Sequence, residues 1–422
     1  MLWTHVVLYI IAYFGLFTAS FFLLTYFGGR KKERDPEPKR FPFVSIIINM
    51  WNEEKAIART MRSILNLDYP KNKYEIIVVD DGSTDRTYEI AKSYSGSLPH
   101  VRVFKKENGG AASAKNYGLK KARGEIIATL DADSFVSKDA LKKMVGYFED
   151  KDVWSVTAAL NVYKPKRFLQ HLQWAEYIMS IFLRKVFSIA DAIHVIPGPF
   201  SLFRKEFFKK HGDFDEGNIT EDTEIAMRIQ SLEYKIKNSV SANIYTLLPS
   251  TLGGLMKQRI RWYYGFIHNS LQYKQLFNPI RRRDNLAVLI LPAALISVVL
   301  SILAVFIFFY ENIILLEDNV IRLMVTDFDI LPSLLSIDWG YIKEFIISYV
   351  SNPLIAFIII GMACAAMLII LGKKESKEKR KMVWAFVSFF LTYWFFYASW
   401  WIGTFIYRGV LRRKIKWGPR YY

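Results

Sequence analysis

The chain has 422 residues, 52% of them hydrophobic and 16% aromatic, which excludes a single water-soluble domain as its whole description. Its formal charge of +18 would suit nucleic acid or a membrane surface, but the basic residues gather beside apolar runs and no nucleic-acid module occurs. The charge is therefore read as membrane topology with no nucleic-acid partner, and the lone Cys364 excludes a disulfide framework or a cysteine metal cluster.

Leu2 to Phe27 form the first apolar run, long enough to cross a bilayer. Arg30, Lys31, Lys32 and Arg34 follow the run instead of preceding it. That order reads as a membrane anchor and not a signal peptide, with the body beyond it on the cytoplasmic side of the cell membrane. The body carries short β-rich runs at 44–48, 74–79 and 125–130, separated by helix-like segments at 55–65 and 84–93. Ser83, Thr84 or Asp85 is expected to cap the second of these helices. The alternation predicts an α/β domain wound doubly around a mostly parallel sheet, with ligands beyond the carboxyl ends of the strands.

Polar motifs stand at those ends. Asn52, Glu53 and Glu54 follow the first strand, and Asp80-Asp81-Gly82 the second. Carboxylates there can accept hydrogen bonds from a base or a ribose, or can simply cap a turn. Gly109 and Gly110 open the run that reaches Lys115 and Asn116. Bare N–H groups at a helix start would favour a phosphate, although a glycine pair also suits a plain turn. Asp131 and Asp133 end the third strand, one residue apart, and offer Mg²⁺ or Mn²⁺ the hard oxygens it needs alongside a diphosphate. A turn is the plainer alternative.

Further on, Glu221 and Asp222 lie near the start of a helical run, where a carboxylate can act as general base, or Thr220 or Asp222 can cap the helix in a capping box. Gln258-Arg259-Ile260-Arg261-Trp262 then sits in a basic amphipathic stretch. Arg261 can neutralise a diphosphate and Trp262 can stack on a sugar, or the stretch can be an interfacial anchor. Later spans are expected at 286–310, 353–371 and 383–407, with the acidic linker 311–351 as an external loop. Three spans after the body would leave Arg412 to Arg420 outside, against the positive-inside rule, unless an extra segment lies within 331–350.

From Phe43 to Trp262 this series resembles the inverting family 2 glycosyltransferases of the GT-A fold. Within them it is similar to the membrane-embedded hyaluronan, cellulose and poly-N-acetylglucosamine synthases. The resemblance implies a nucleoside site at Asp80 and Asp81, with Asn52, Glu53, Gly109, Gly110 and Lys115 on the nucleotide-sugar, and a metal-diphosphate site at Asp131 and Asp133. It also implies that Asp222 is the catalytic base beside Glu221, and that Gln258, Arg261 and Trp262 match the Gln-x-x-Arg-Trp signature. Gly198 and Pro199 lie in a segment similar to the acceptor side of such synthases.

The implied organisation is an anchor at 1–29, a glycosyltransferase domain at 30–245, interfacial helices at 246–283, a membrane region at 284–411 and a basic tail at 412–422. The expected reaction is sugar transfer with inversion from a nucleotide-sugar, a UDP-sugar first, to a growing β-linked polysaccharide with coupled translocation. One transfer to a polyprenyl phosphate or ceramide-like lipid is the alternative. A non-catalytic transporter or scaffold is a third reading, against which the full carboxylate set argues. Two departures from the processive pattern are Ala111 and Ala112 in place of a lysine after the glycine pair, and a single amino-terminal span. A channel built from so few helices calls for membrane lipids around it and a partner subunit or second copy.

Overall fold

The computed structural model describes residues 2–29, 35–96, 98–325 and 339–410. The basic cluster at 30–34, the tail at 412–422 and the first part of the segment sought at 331–350 lie outside them.

Eight strands form one sheet: β1 (Val44–Met50), β2 (Tyr74–Asp80), β3 (Val101–Lys105), β4 (Ile126–Asp131), β5 (Ser134–Val136), β6 (Val153–Val162), β7 (Ser201–Arg204) and β8 (Lys235–Thr246). Their order is β3-β2-β1-β4-β7-β6-β8-β5. β3, β2, β1 and β4 run parallel, β7 is antiparallel to β4 and β6, and β8 is parallel to β6. β1 and β2 are buried at every position, which is why their Val and Ile runs do not alternate with polar residues. β1 pairs with both β2 and β4, so the chain reverses direction across the sheet at β1, and a crevice opens at the carboxyl ends of these strands.

The helices around the sheet include α2 (Ile57–Leu65), α3 (Thr87–Lys92), α4 (Ala111–Lys121), α5 (Ala140–Val145), α7 (Lys205–His211) and α8 (Glu221–Ser231). Of the three capping candidates before α3, Asp85 takes the helix donor: its Oδ1 accepts the Thr87 N–H at 3.0 Å. At α8 the residue before the helix is Thr220, but its hydroxyl makes no cap. Of the two capping candidates there it is Asp222 whose Oδ1 accepts a helix N–H, that of Thr223 at 2.8 Å.

Four helical segments are long and apolar enough to cross a membrane: α1 (Leu2–Gly29), α10 (Leu291–Val325, preceded by a π-turn at Leu286–Ile290), α12 (Pro353–Glu375) and α13 (Val383–Phe405). Ile10, Phe17 and Leu24 on α1 and Val299 and Phe306 on α10 are exposed, the sides that lipid would cover. The linker expected as a loop at 311–351 is helical over much of its described length. α10 continues to Val325, and α11 spans Trp339–Val350. Glu311 and Glu317 are good helix formers, and apolar residues such as Ile313, Leu315 and Leu316 lie between them.

α6 (Phe168–Ile189) joins the two halves, packing on β6 and β8 and on α1, α12 and α13. α9 (Leu252–Gln272) packs on α8 and α13. It carries the Gln258 to Trp262 motif and is a single helix.

Candidate active site

The strand register brings the first polar group together. Asn49 lies opposite Asp131 and Met50 opposite Asp80, because β1 pairs in parallel with both neighbours. Asn49 Nδ2 donates to Asp131 Oδ1 at 3.3 Å. A cleft over these ends is lined by Asn49, Trp51, Glu53, Asp81, Ala111 and Asp131.

The two aspartates after β2 part company. Asp80 is fully buried, accepts the Ser83 N–H at 3.2 Å and stays outside the cleft lining, where burial raises its pKa above the usual carboxylate range. Asp81 faces the cleft and accepts the N–H groups of Gly109 and Gly110 at 3.0 and 2.7 Å, with Lys106 Nζ at 2.8 Å. The glycine N–H groups read from the sequence as bare are therefore engaged by a carboxylate, which competes with a phosphate for the same donors. Gly110 has φ of 91°, a conformation that side chains avoid. Asn52 is placed beside the cleft with φ of 53°, and its Oδ1 accepts the Thr84 N–H at 2.9 Å, so its side chain shapes the turn.

The second group lines a cavity of about 770 Å³ between the sheet domain and the membrane helices. Asp131, Asp133, Asp222, Gln258, Arg261 and Trp262 all reach it, as do Gly198 and Pro199. On its far side are Ala294 and Val298 of α10 and Tyr393, Tyr397 and Trp401 of α13. Gly198 stands between two of the carboxylates: a Cβ there would lie 3.2 Å from Asp131 Oδ2 and 3.7 Å from Asp222 Oδ2. Residues far apart in the chain thus converge on one point. The same loop holds Phe200 buried at φ of 49°, and Ser201 Oγ donates to Pro197 O at 2.7 Å to brace it. Strain of this kind costs about 1–3 kcal/mol and gathers at working sites.

Asp222 is set by its surroundings. Burial, then the Glu221 charge, push its pKa up to about 6, while Lys115 and Arg261 oppose them. A carboxyl near 6 is ionised at neutral pH yet basic enough to take a proton. Lys115 and Glu221, named from the sequence as ligand-binding and catalytic, form a buried ion pair at 2.7 Å. The start of α8 is fixed from α9: Asn269 Nδ2 donates to Thr220 Oγ1 at 3.1 Å, and Asn218 Nδ2 donates to Asn269 Oδ1 at 2.6 Å. Gly265 permits that crossing, since a Cβ there would lie 2.0 Å from Thr220 Oγ1.

Residues 45–212 match the Glycosyl transferase family 2 profile. They form a family 2 glycosyltransferase domain. The chain is 34% identical over 224 residues to the poly-β-1,6-N-acetyl-D-glucosamine synthases of Staphylococcus epidermidis and Staphylococcus aureus, covering 53% of this chain and 54% of each relative. The chain thus spans about half the length of these relatives. The solved mannosyltransferase PcManGT from Pyrobaculum calidifontis, in complex with GDP-Man and Mn²⁺, aligns with 89% of this chain and 100% of its own at a TM-score of 0.53 and 20% identity. The glycosyltransferase domain therefore has the GT-A fold expected of it, and apolar helices accompany it at both ends.

Sequence reasoning missed three charged residues that line the cavity. Arg259 is buried, pairs with both oxygens of Glu176 at 2.7 Å, and lies 4.4 Å from the Trp262 ring and 4.9 Å from that of Trp400. Glu176 and Arg184, both on α6, line the cavity. The signal available was three charges, Glu176, Arg184 and Lys185, inside the largely apolar, strongly buried helix 168–189.

Proposed function

We propose that the chain transfers sugar, with inversion, from a UDP-sugar to a growing β-linked polysaccharide held in the cavity beside the membrane helices. The observation that carries this is the lining of one cavity by Asp131, Asp133, Asp222, Gln258, Arg261 and Trp262 on one side and by α10 and α13 on the other. The poly-β-1,6-N-acetyl-D-glucosamine synthases to which the chain is 34% identical make N-acetylglucosamine the first sugar to test.

In this reading the cleft at Glu53 and Asp81 takes the nucleoside, and Asp222 accepts the proton of the attacking acceptor hydroxyl. Arg261 pairs with the diphosphate as its charge develops, and Trp262 stacks on the acceptor sugar. Asp131 and Asp133 fit a divalent cation: both are hard oxygen donors at the end of β4, and Asp133 is held by Ser134 Oγ at 2.9 Å. Among the described residues no group of three or more His, Cys, Asp or Glu forms a metal cage, which agrees with a sphere completed by the diphosphate. Mg²⁺ or Mn²⁺ bound there supplies charge neutralisation of the leaving diphosphate. The catalytic domain faces the cytoplasm in this reading, and polymer leaves between α10 and α13, with a second copy or partner completing the passage.

Product size decides the matter. Purified full-length protein given labelled UDP-N-acetylglucosamine is expected to yield polymer, and single-sugar lipid products alone overturn the reading in favour of a lipid acceptor.

A further inference from the structure

Two arginines that line the cavity are treated differently by the fold. The two terminal nitrogens of Arg259 are matched by Glu176, although its buried Nε has no hydrogen-bond partner. Arg184, about two turns along α6 from that glutamate, has a buried Nε with no hydrogen-bond partner. Burial pushes its pKa down to about 10, and the group that opposes the shift is the Tyr177 phenol, not a carboxylate. It therefore stays charged at neutral pH without an anion beside it.

A guanidinium offers five donors and no acceptor, and leaving one buried and unmatched is costly. Such a group is retained where a guest brings acceptor oxygens. The same cavity leaves one acceptor unmatched as well, Gln258 Oε1. Asp131, Asp133, Asp222 and Glu176 line it beside Arg184, Lys257, Arg259 and Arg261, so the lining is balanced in formal charge and suits a neutral guest. A neutral acylamido group carries what Arg184 and Gln258 each lack, one strong acceptor and one donor. A hydroxyl is a weaker acceptor, and a lipid phosphate brings charge.

We infer that Arg184 is a specificity-determining residue that receives the carbonyl oxygen of an acylamido substituent on the acceptor sugar. The inference rests on the reading of the cavity as a polysaccharide acceptor site.

The test uses purified full-length protein, UDP-N-acetylglucosamine and short oligosaccharide acceptors that differ only in acetamido against hydroxyl. Wild type is expected to show a lower KM for the acetamido acceptor. In Arg184→Gln that KM rises about tenfold, the size of a hydrogen bond to a charged group, while the KM for the hydroxyl acceptor rises much less. Arg184→Lys, which keeps the charge but not the fork, is expected to lose part of the selectivity and serves if the glutamine variant does not fold. Retention of wild-type selectivity in the folded variants overturns the inference, and so does a wild type without selectivity. Equal falls in transfer and in donor hydrolysis also overturn it. A wild type that uses neither oligosaccharide but glycosylates a polyprenyl phosphate instead defeats the polysaccharide reading, and the inference falls with it.

Discussion

Lys115 Nζ donates to Glu221 Oε1 at 2.7 Å, burying a lysine beside the residue that precedes Asp222. Its charge is one of the two that favour the ionised form of Asp222. As the proposed base Asp222 works deprotonated, so kcat/KM should fall about tenfold per pH unit below pH about 6 and level off above it. In Lys115→Met the lost positive charge pushes the Asp222 pKa up, and the acid limb should move to higher pH. Matched pH profiles of the two proteins check this, and an unmoved limb denies Lys115 its effect on the base.

Arg259 and Glu176 form a buried bidentate pair that ties α9 to α6. Removing one partner strands the other charge in a dry site, at a cost of about 3–5 kcal/mol. Glu176→Gln and Arg259→Met should each lower the thermal unfolding midpoint in detergent. The double variant Glu176→Leu with Arg259→Met should recover much of the loss, and equal additive losses would deny the coupling.

A methyl group at Gly198 would crowd Asp131 Oδ2 at 3.2 Å and touch Asp222 Oδ2 at 3.7 Å. Gly198→Ala should lower kcat roughly 10- to 100-fold by displacing one carboxylate, while stability changes by less than about 1 kcal/mol. Steady-state kinetics beside a melting curve separate the two effects.

Chelation should abolish sugar transfer, and Mg²⁺ or Mn²⁺ should restore it. Asp131→Asn and Asp133→Asn should weaken the cation dependence, seen as a higher metal concentration for half-maximal rate. Full turnover in excess chelator would remove the metal from Asp131 and Asp133.

Much of the domain was legible because strands end where their chemistry begins. The buried Val and Ile runs of β1, β2 and β4 are short and uninterrupted, and Asn49, Asp80 and Asp131 mark their ends. Asp85 was among the capping candidates for the same local reason. The linker at 311–351 was misread because acidic residues were taken for a loop, whereas glutamates sit comfortably in a helix. The glycine pair was read without the carboxylate that meets it, since Asp81 lies 28 and 29 residues earlier in the chain.

Local pattern by itself determined the element types, the polar motifs at strand ends and the apolar spans, since each depends on a few neighbouring residues and the period of the backbone. Only the tertiary structure decided which charges meet. Lys115 finds Glu221 across 106 residues and Arg259 finds Glu176 across 83, while Arg184 is left without a carboxylate. Burial makes such pairings decisive, because an ion taken from water is stable only beside its counterpart, and that geometry depends on how helices and sheet pack.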